Sequence, residues 1–148
     1  MIFTTNTGDK EMNIFPIRSV RKEKYKYIHN LRPDAYHTNH SDRLPSDGRG
    51  AYRHSWYAAA ETDPKAAAIV KRYHTRPEFE LFDLSKDPHE LNNLADKPKY
   101  RDKLLELKVE LKKWTTAQGD DLQPHQEPYP TTDPIPEIVR EPRKKKSK

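Results

Sequence analysis

The chain predicts an α+β fold: a small antiparallel sheet packed against a C-terminal amphipathic helix, with a helical insertion and a disordered tail. Three observations carry this expectation. Two runs rich in β-branched and aromatic residues, 13–20 and 24–31, are separated by the polar turn Arg21-Lys22-Glu23, as in a hairpin. Residues 99–118 carry an apolar stripe at helical spacing. From Gly119 onward proline and charge dominate, which leaves no window for a regular helix or a central strand.

Residues 1–12 read as a lead-in segment, 13–118 as the folded unit and 119–148 as the tail. Pro16 argues that the first strand is an edge or carries a bulge. In the second run Tyr25, Tyr27, His29 and Leu31 share one face, while Lys24, Lys26 and Ile28 share the other. An insertion then runs from Arg32 to Pro77. Its half up to Gly50 reads as loop, Tyr52 to Glu61 as a short alanine-rich helix. After Thr62-Asp63, Pro64 suits the first turn of a second helix ending near Tyr73. Residues 79–84 form a third short strand. In the last helix Tyr100, Leu104, Leu107, Leu111 and Trp114 fall at spacings of four, three, four and three, one face of an α-helix. Asp96 is the expected cap, Pro98 lies in the first turn and Gly119 stops it. Hairpin, insertion, strand, helix is an α+β order.

Composition limits how much of this can be core. Of 148 residues 32% are hydrophobic and 34% charged, with 13 prolines and a mean hydropathy of −1.17; typical domains hold about 45–50% apolar residues. No run of about 18 apolar residues exists to span a membrane, and the first residues lack the basic start and apolar stretch of a signal peptide. Zero cysteines remove disulfides, thiolate metal sites and cysteine nucleophiles, and leave the compartment open. The net charge of +5 lies in the tail. Residues 140–148 hold six bases and one acid, so residues 1–139 hold 22 of each. A nucleic-acid site needs charge concentrated on a folded face, so no nucleic-acid partner is expected; the tail itself suits weak, salt-dependent polyanion binding.

The sequence holds no complete active site. None of the six serines stands in Gly-x-Ser-x-Gly, and four glycines cannot build a phosphate-cradling loop. His37, His40 and Asp42 lie within six residues of loop. They are open to three readings: a zinc-ligand set, a polar loop reaching into a cleft, or plain exposed loop. His54 and His74 sit on alanine-rich helices and read as surface or packing residues. Asp83, Asp87 and Glu90 around Pro88 read as a turn entering a capped segment.

The segment Glu78-Phe79-Glu80-Leu81-Phe82-Asp83-Leu84-Ser85-Lys86-Asp87-Pro88-His89-Glu90-Leu91-Asn92-Asn93-Leu94-Ala95 resembles the C-terminal signature of sulfatases. In that family a Glu-Leu-Tyr-Asp-Leu strand leads to an Asp-Pro-x-Glu turn, Asn-Leu-Ala and a closing helix that ends in Trp. Phe82 stands in place of the commoner Tyr. Phe15 to Arg21 and Lys24 to Ile28 resemble the family's Arg-x-Val-Arg and Tyr-Lys-Tyr-Ile hairpin, and the whole is most similar to sulfatases of the heparan N-sulfatase type. The resemblance covers roughly residues 1–118.

It implies a part rather than a whole: the C-terminal subdomain of an alkaline-phosphatase-like sulfatase, a four-stranded antiparallel sheet covered by the terminal helix. The catalytic domain would be its partner, and a sulfated sugar the substrate of the parent enzyme. The family's nucleophile is a formylglycine made from Cys or Ser in Cys/Ser-x-Pro-Ser-Arg, a motif this sequence lacks. Its Ca²⁺ is expected in the missing catalytic domain, with no cofactor or metal on this chain. The family is usually secreted, periplasmic or lysosomal. Phe3 to Met12 resembles a Thr-His-Thr-Gly-Asp-Gly segment, with Asn6 where that pattern has His and Lys10 where it has Gly. The loop from His37 to Asp42 resembles a His-Thr-x-His-x-Asp loop. The implied substrate-binding candidates are therefore Asn6, Asp9, His37 and His40, and no catalytic residue maps onto the chain. A free-standing module binding polyanions through its basic tail is the alternative.

Overall fold

In the computed structural model, which describes residues 1–6, 13–39, 51–123 and 127–133, four antiparallel strands form one sheet in chain order. They are β1 (Ile2–Asn6), β2 (Ile17–Lys22), β3 (Tyr25–Asn30) and β4 (Phe79–Asp83). Between β3 and β4 lie α1 (Ala51–Ala60) and α2 (Pro64–His74); a 3₁₀ turn, Pro98–Tyr100, leads into α3 (Arg101–Ala117).

The predicted stripe of α3 packs on one face of the sheet. Leu107 and Leu111 are buried with Val20, Tyr27 and Leu81, and Phe3, Tyr100, Leu104 and Trp114 close the margin. Because β-strand side chains alternate, Tyr25, Tyr27 and His29 share this face, as expected from the sequence. Trp114 stacks flat on Phe3, with ring centroids 4.8 Å apart, so the helix end is anchored on the edge strand.

The structure redraws several boundaries. Residues 2–6, read as lead-in, form edge strand β1 and pair with β2 from Ile2↔Arg21 to Asn6↔Ile17. Pro16 precedes β2, which is an interior strand, so its missing N–H costs the ladder nothing and neither an edge nor a bulge is needed. Lys22 pairs with Tyr25. The hairpin turn is therefore Glu23-Lys24, with Glu23 at φ 55. Asp96 does not cap α3, since the chain enters through the 3₁₀ turn without a side-chain cap. Gly119, at φ +67, does stop it. Asp120 N–H donates to Thr115 O (3.0 Å) and Gly119 N–H to Thr116 O (3.1 Å), the paired bonds of a Schellman cap.

That cap turns the chain back onto the sheet. The Asp120 carboxylate accepts from Arg18 Nε and from Arg18 Nη2 (3.0 Å), a two-pronged pair with both side chains largely buried. Part of the expected tail is also held. Tyr129 N–H donates to Asn13 Oδ1 (2.7 Å), Asn13 Nδ2 donates to Tyr129 O (3.0 Å) and Tyr36 O (2.7 Å), and Thr131 N–H donates to Asp34 O (2.7 Å). Residues 128–131 thus form a strap over 34–36, with Asn13 fully buried beneath it. The basic residues 140–148 lie outside the described residues.

The segment after β4 explains its own motif. Asn93 Oδ1 accepts from Leu81 N (2.9 Å) and Ala95 N (3.0 Å), and its Nδ2 donates to Phe79 O (3.0 Å), so one side chain covers the open edge of β4. Asp87 accepts from Leu91 N (3.0 Å) and Asn92 N (2.7 Å), which lowers its pKa. Asp83 accepts from Ser85, and Glu90 from Lys26 Nζ (2.8 Å). The three carboxylates organise a turn, as the sequence suggested.

Candidate functional site

The alanines of α1 and α2 let the two helices approach closely, and Asp63 fixes the corner by accepting from Lys65 N (2.8 Å) as the cap of α2. Between them runs a groove of about 440 Å³ whose lining includes Trp56, Tyr57, Ile69, Val70, Tyr73, Arg53, Arg72 and Arg76. Its inner wall is an aromatic and imidazole cluster. His74 Nδ1 lies 2.9 Å from His37 O and its Nε2 lies 2.6 Å from Tyr57 Oη. A carbonyl can only accept, so Nδ1 carries the proton; in the neutral ring the Tyr57 hydroxyl then donates to Nε2. Tyr73 stands edge-on to both His37 and His74, and its hydroxyl accepts from Asn39 Nδ2 (2.6 Å). His74 is thus the packing residue the sequence suggested; His54 is exposed on α1.

Of the sequence-derived candidates, His37 is half-buried. Its ring is edge-on to Phe15 (5.3 Å) and its backbone N–H donates to His74 O (2.8 Å). Asn6 ends β1 opposite Ile17, with its side chain outside what is described; Asp9, His40 and Asp42 also lie outside the described residues. Of the four substrate-binding candidates, only Asn6 and His37 therefore fall on the described backbone. Among the described residues no three His, Asp or Glu groups converge to hold a metal. The zinc reading falls on His40 and Asp42, beyond that description.

Two buried groups elsewhere carry shifted pKa values. Burial pushes the Glu80 carboxyl up, against the pull of Arg76 at 3.6 Å, and burial lowers that of His29, partly offset by Glu78 at 3.7 Å. The groove itself was not read from the sequence: Arg53, Trp56 and Tyr57 were visible as part of a short helical run, but only pairing with α2 makes them one wall.

The described residues thus build a four-stranded antiparallel sheet closed by α3, with the α1–α2 groove beside it. The chain's homologues are sulfatases, and it matches a C-terminal part of them. The chain is 39% identical over 108 residues to an ulvan-active sulfatase of Formosa agariphila, an alignment covering 71% of this chain and 17% of that one. It is 29% identical over 127 residues to the human N-sulphoglucosamine sulphohydrolase, covering 80% and 23% respectively. A solved structure of a candidate sulfatase from Bacteroides thetaiotaomicron aligns with a TM-score of 0.46 at 24% identity, over 81% of this chain and 17% of that one. No family model matches the chain. The chain thus spans about a fifth of the length of the curated relatives it matches. Among the described residues no helix is long and apolar enough to cross a membrane.

Proposed function

We propose that this chain is the C-terminal α+β subdomain of a sulfatase acting on sulfated sugars, a sulfuric ester or sulfamide hydrolase, and that it does not hydrolyse them by itself. The observation that carries this reading is the asymmetry of the alignments: most of this chain matches, but only 17–23% of each relative. Its partner is a large catalytic domain that supplies the formylglycine and the Ca²⁺ the family resemblance implies. Among the described residues no three His, Asp or Glu groups converge to hold that ion. Sulfate ester cleavage needs an activated nucleophile and charge stabilisation of the leaving group, and in this reading the partner domain supplies both.

In this reading the chain closes the parent fold and borders the substrate entrance, with Asn6, Asp9, His37 and His40 on the rim. The ring contacts of His37 hold it in one orientation. The second reading, a free-standing polyanion-binding module, rests on the six bases of residues 140–148. The coding DNA upstream of the Met1 codon separates the two. A continuous frame containing Cys/Ser-x-Pro-Ser-Arg is expected, and the longer protein, unlike this chain alone, should release sulfate from an aryl sulfate. Hydrolysis by this chain alone, or an upstream stop codon with no such frame, would overturn the proposal.

A further inference from the structure

The balanced charge of residues 1–139 conceals a strong local asymmetry. Residues 51–77 hold five bases, Arg53, Lys65, Lys71, Arg72 and Arg76, against two acids, Glu61 and Asp63; the rest of 1–139 holds 17 bases against 20 acids. The positive excess of residues 1–139 therefore lies in residues 51–77, the segment that supplies most of the groove. Arg53, Arg72 and Arg76 are among the residues that line it. Arg76 faces Glu80 at 3.6 Å, and Arg53 lies over the Tyr57 ring at 5.7 Å. Arg72 makes no ion pair among the described residues. Its Nη1 and Nη2 donate to the carbonyls of Leu91 (2.5 Å) and Glu90 (2.7 Å). Those bonds hold the guanidinium plane still and leave its other N–H groups for an acceptor. Such a pre-oriented fork suits a planar or tetrahedral oxyanion.

The rest of the wall is ring-shaped and apolar. Trp56 is 49% exposed and Ile69 66% exposed, an amount of apolar surface that marks a binding face when it adjoins a concavity. Trp56, which stands at 71° to the Tyr52 ring with centroids 5.3 Å apart, lines the groove together with the three arginines, and an indole ring is flat and polarisable. The volume falls within the range of small-molecule sites, about 300–1,000 Å³.

We propose that the α1–α2 groove binds one or two sulfated sugar residues, with the Trp56 face against the sugar ring and Arg72 holding the sulfate. The choice of a sugar as bearer of the anion rests on the sulfatase reading above; the charge and the shape rest on the groove alone. The test uses the whole chain and a heparin-derived tetrasaccharide, its desulfated counterpart and a poly-glutamate peptide, read by titration calorimetry and amide chemical shifts. The sulfated tetrasaccharide should bind and shift amides of α1 and α2. Trp56→Ala and Arg72→Gln should each weaken it about tenfold, and deletion of residues 140–148 should change affinity less than about threefold. Trp56 is half-exposed, so an unchanged melt of Trp56→Ala excludes misfolding as the cause. Loss of binding on deleting 140–148 with Trp56→Ala unaffected would overturn the proposal in favour of the tail. Equal binding of poly-glutamate would overturn it in favour of an acidic protein segment, and absence of binding overturns it outright. The upstream DNA decides the sulfatase reading separately, so either conclusion can fail without the other.

Discussion

The sheet with α3 and the pair α1–α2 are built from different materials. In the first, aliphatic and aromatic side chains interdigitate between two layers, and Val20, Leu81 and Leu107 are fully buried. In the second, Arg53 and His74 are the buried residues while Tyr52, Trp56 and Ile69 face out, and hydrogen bonds among Tyr57, His74, Asn39 and Tyr73 replace a hydrophobic centre. Dispersion and solvent exclusion hold the first together. The second depends on directed polar contacts, each of modest net value, and keeps its apolar surface for something else. Buried apolar packing and exposed apolar surface thus fall in separate regions.

The comparison breaks most directly at Leu107. Leu107→Ala should cost about 3 kcal/mol, the cavity cost of a fully buried leucine, measured by urea melts; a loss below about 1 kcal/mol would show that α3 is not the core element. Next comes the clamp between β2 and the end of α3, where Asp120→Asn should cost about 2 kcal/mol by removing a charged acceptor from a largely buried guanidinium. Tyr57→Phe sharpens the other side. It leaves His74 Nε2 without a donor, and should cost about 1 kcal/mol while speeding amide exchange in α1 and α2 but not in the sheet. Uniform acceleration across both regions would mean that they unfold as one.

The smallest effect is electrostatic. Hydrogen bonds from Lys103 and then Lys22 hold the Glu106 carboxyl at about 2, down from 4.5. A depressed carboxylate stabilises the fold above its unfolded pKa and loses that contribution as pH falls from 4.5 toward 2. Glu106 is solvent-accessible, so the slope should be slight and should flatten in high salt. Glu106→Gln should lack it; an identical acid limb in both proteins would remove the bridge from the account.

What was legible in the sequence follows the range of the forces involved. The α3 stripe and its Gly119 stop depend on neighbours within a turn or two, and both were readable, as were Asp63 and Pro64 at the start of α2. The hairpin was readable as a pair of strands. Its register was not, because a two-residue turn through Glu23 requires a left-handed backbone that glutamate does not advertise. Strand β1 carried β-propensity in Ile2, Phe3 and Thr4, yet five residues at an edge say little until Phe3 meets Trp114. The groove and strap were hidden for a similar reason: Arg72 and Leu91, or Asn13 and Tyr129, acquire their meaning only when the chain has brought them together. Net charge was legible as a sum and misleading as a distribution.

The strap that joins Tyr129 to Asn13 spans 116 positions, which makes it a clock as well as a tie. Every strand and helix described here precedes residue 118, so a growing polypeptide carries the means to assemble them before Tyr129 leaves the ribosome. Closing so long a loop is favoured only once its ends have been brought near by the sheet. Locking of Asn13 is therefore expected to be the last folding event, and pulse-labelled amide exchange should show Tyr129 and Thr131 gaining protection after the amides of β2 and α3.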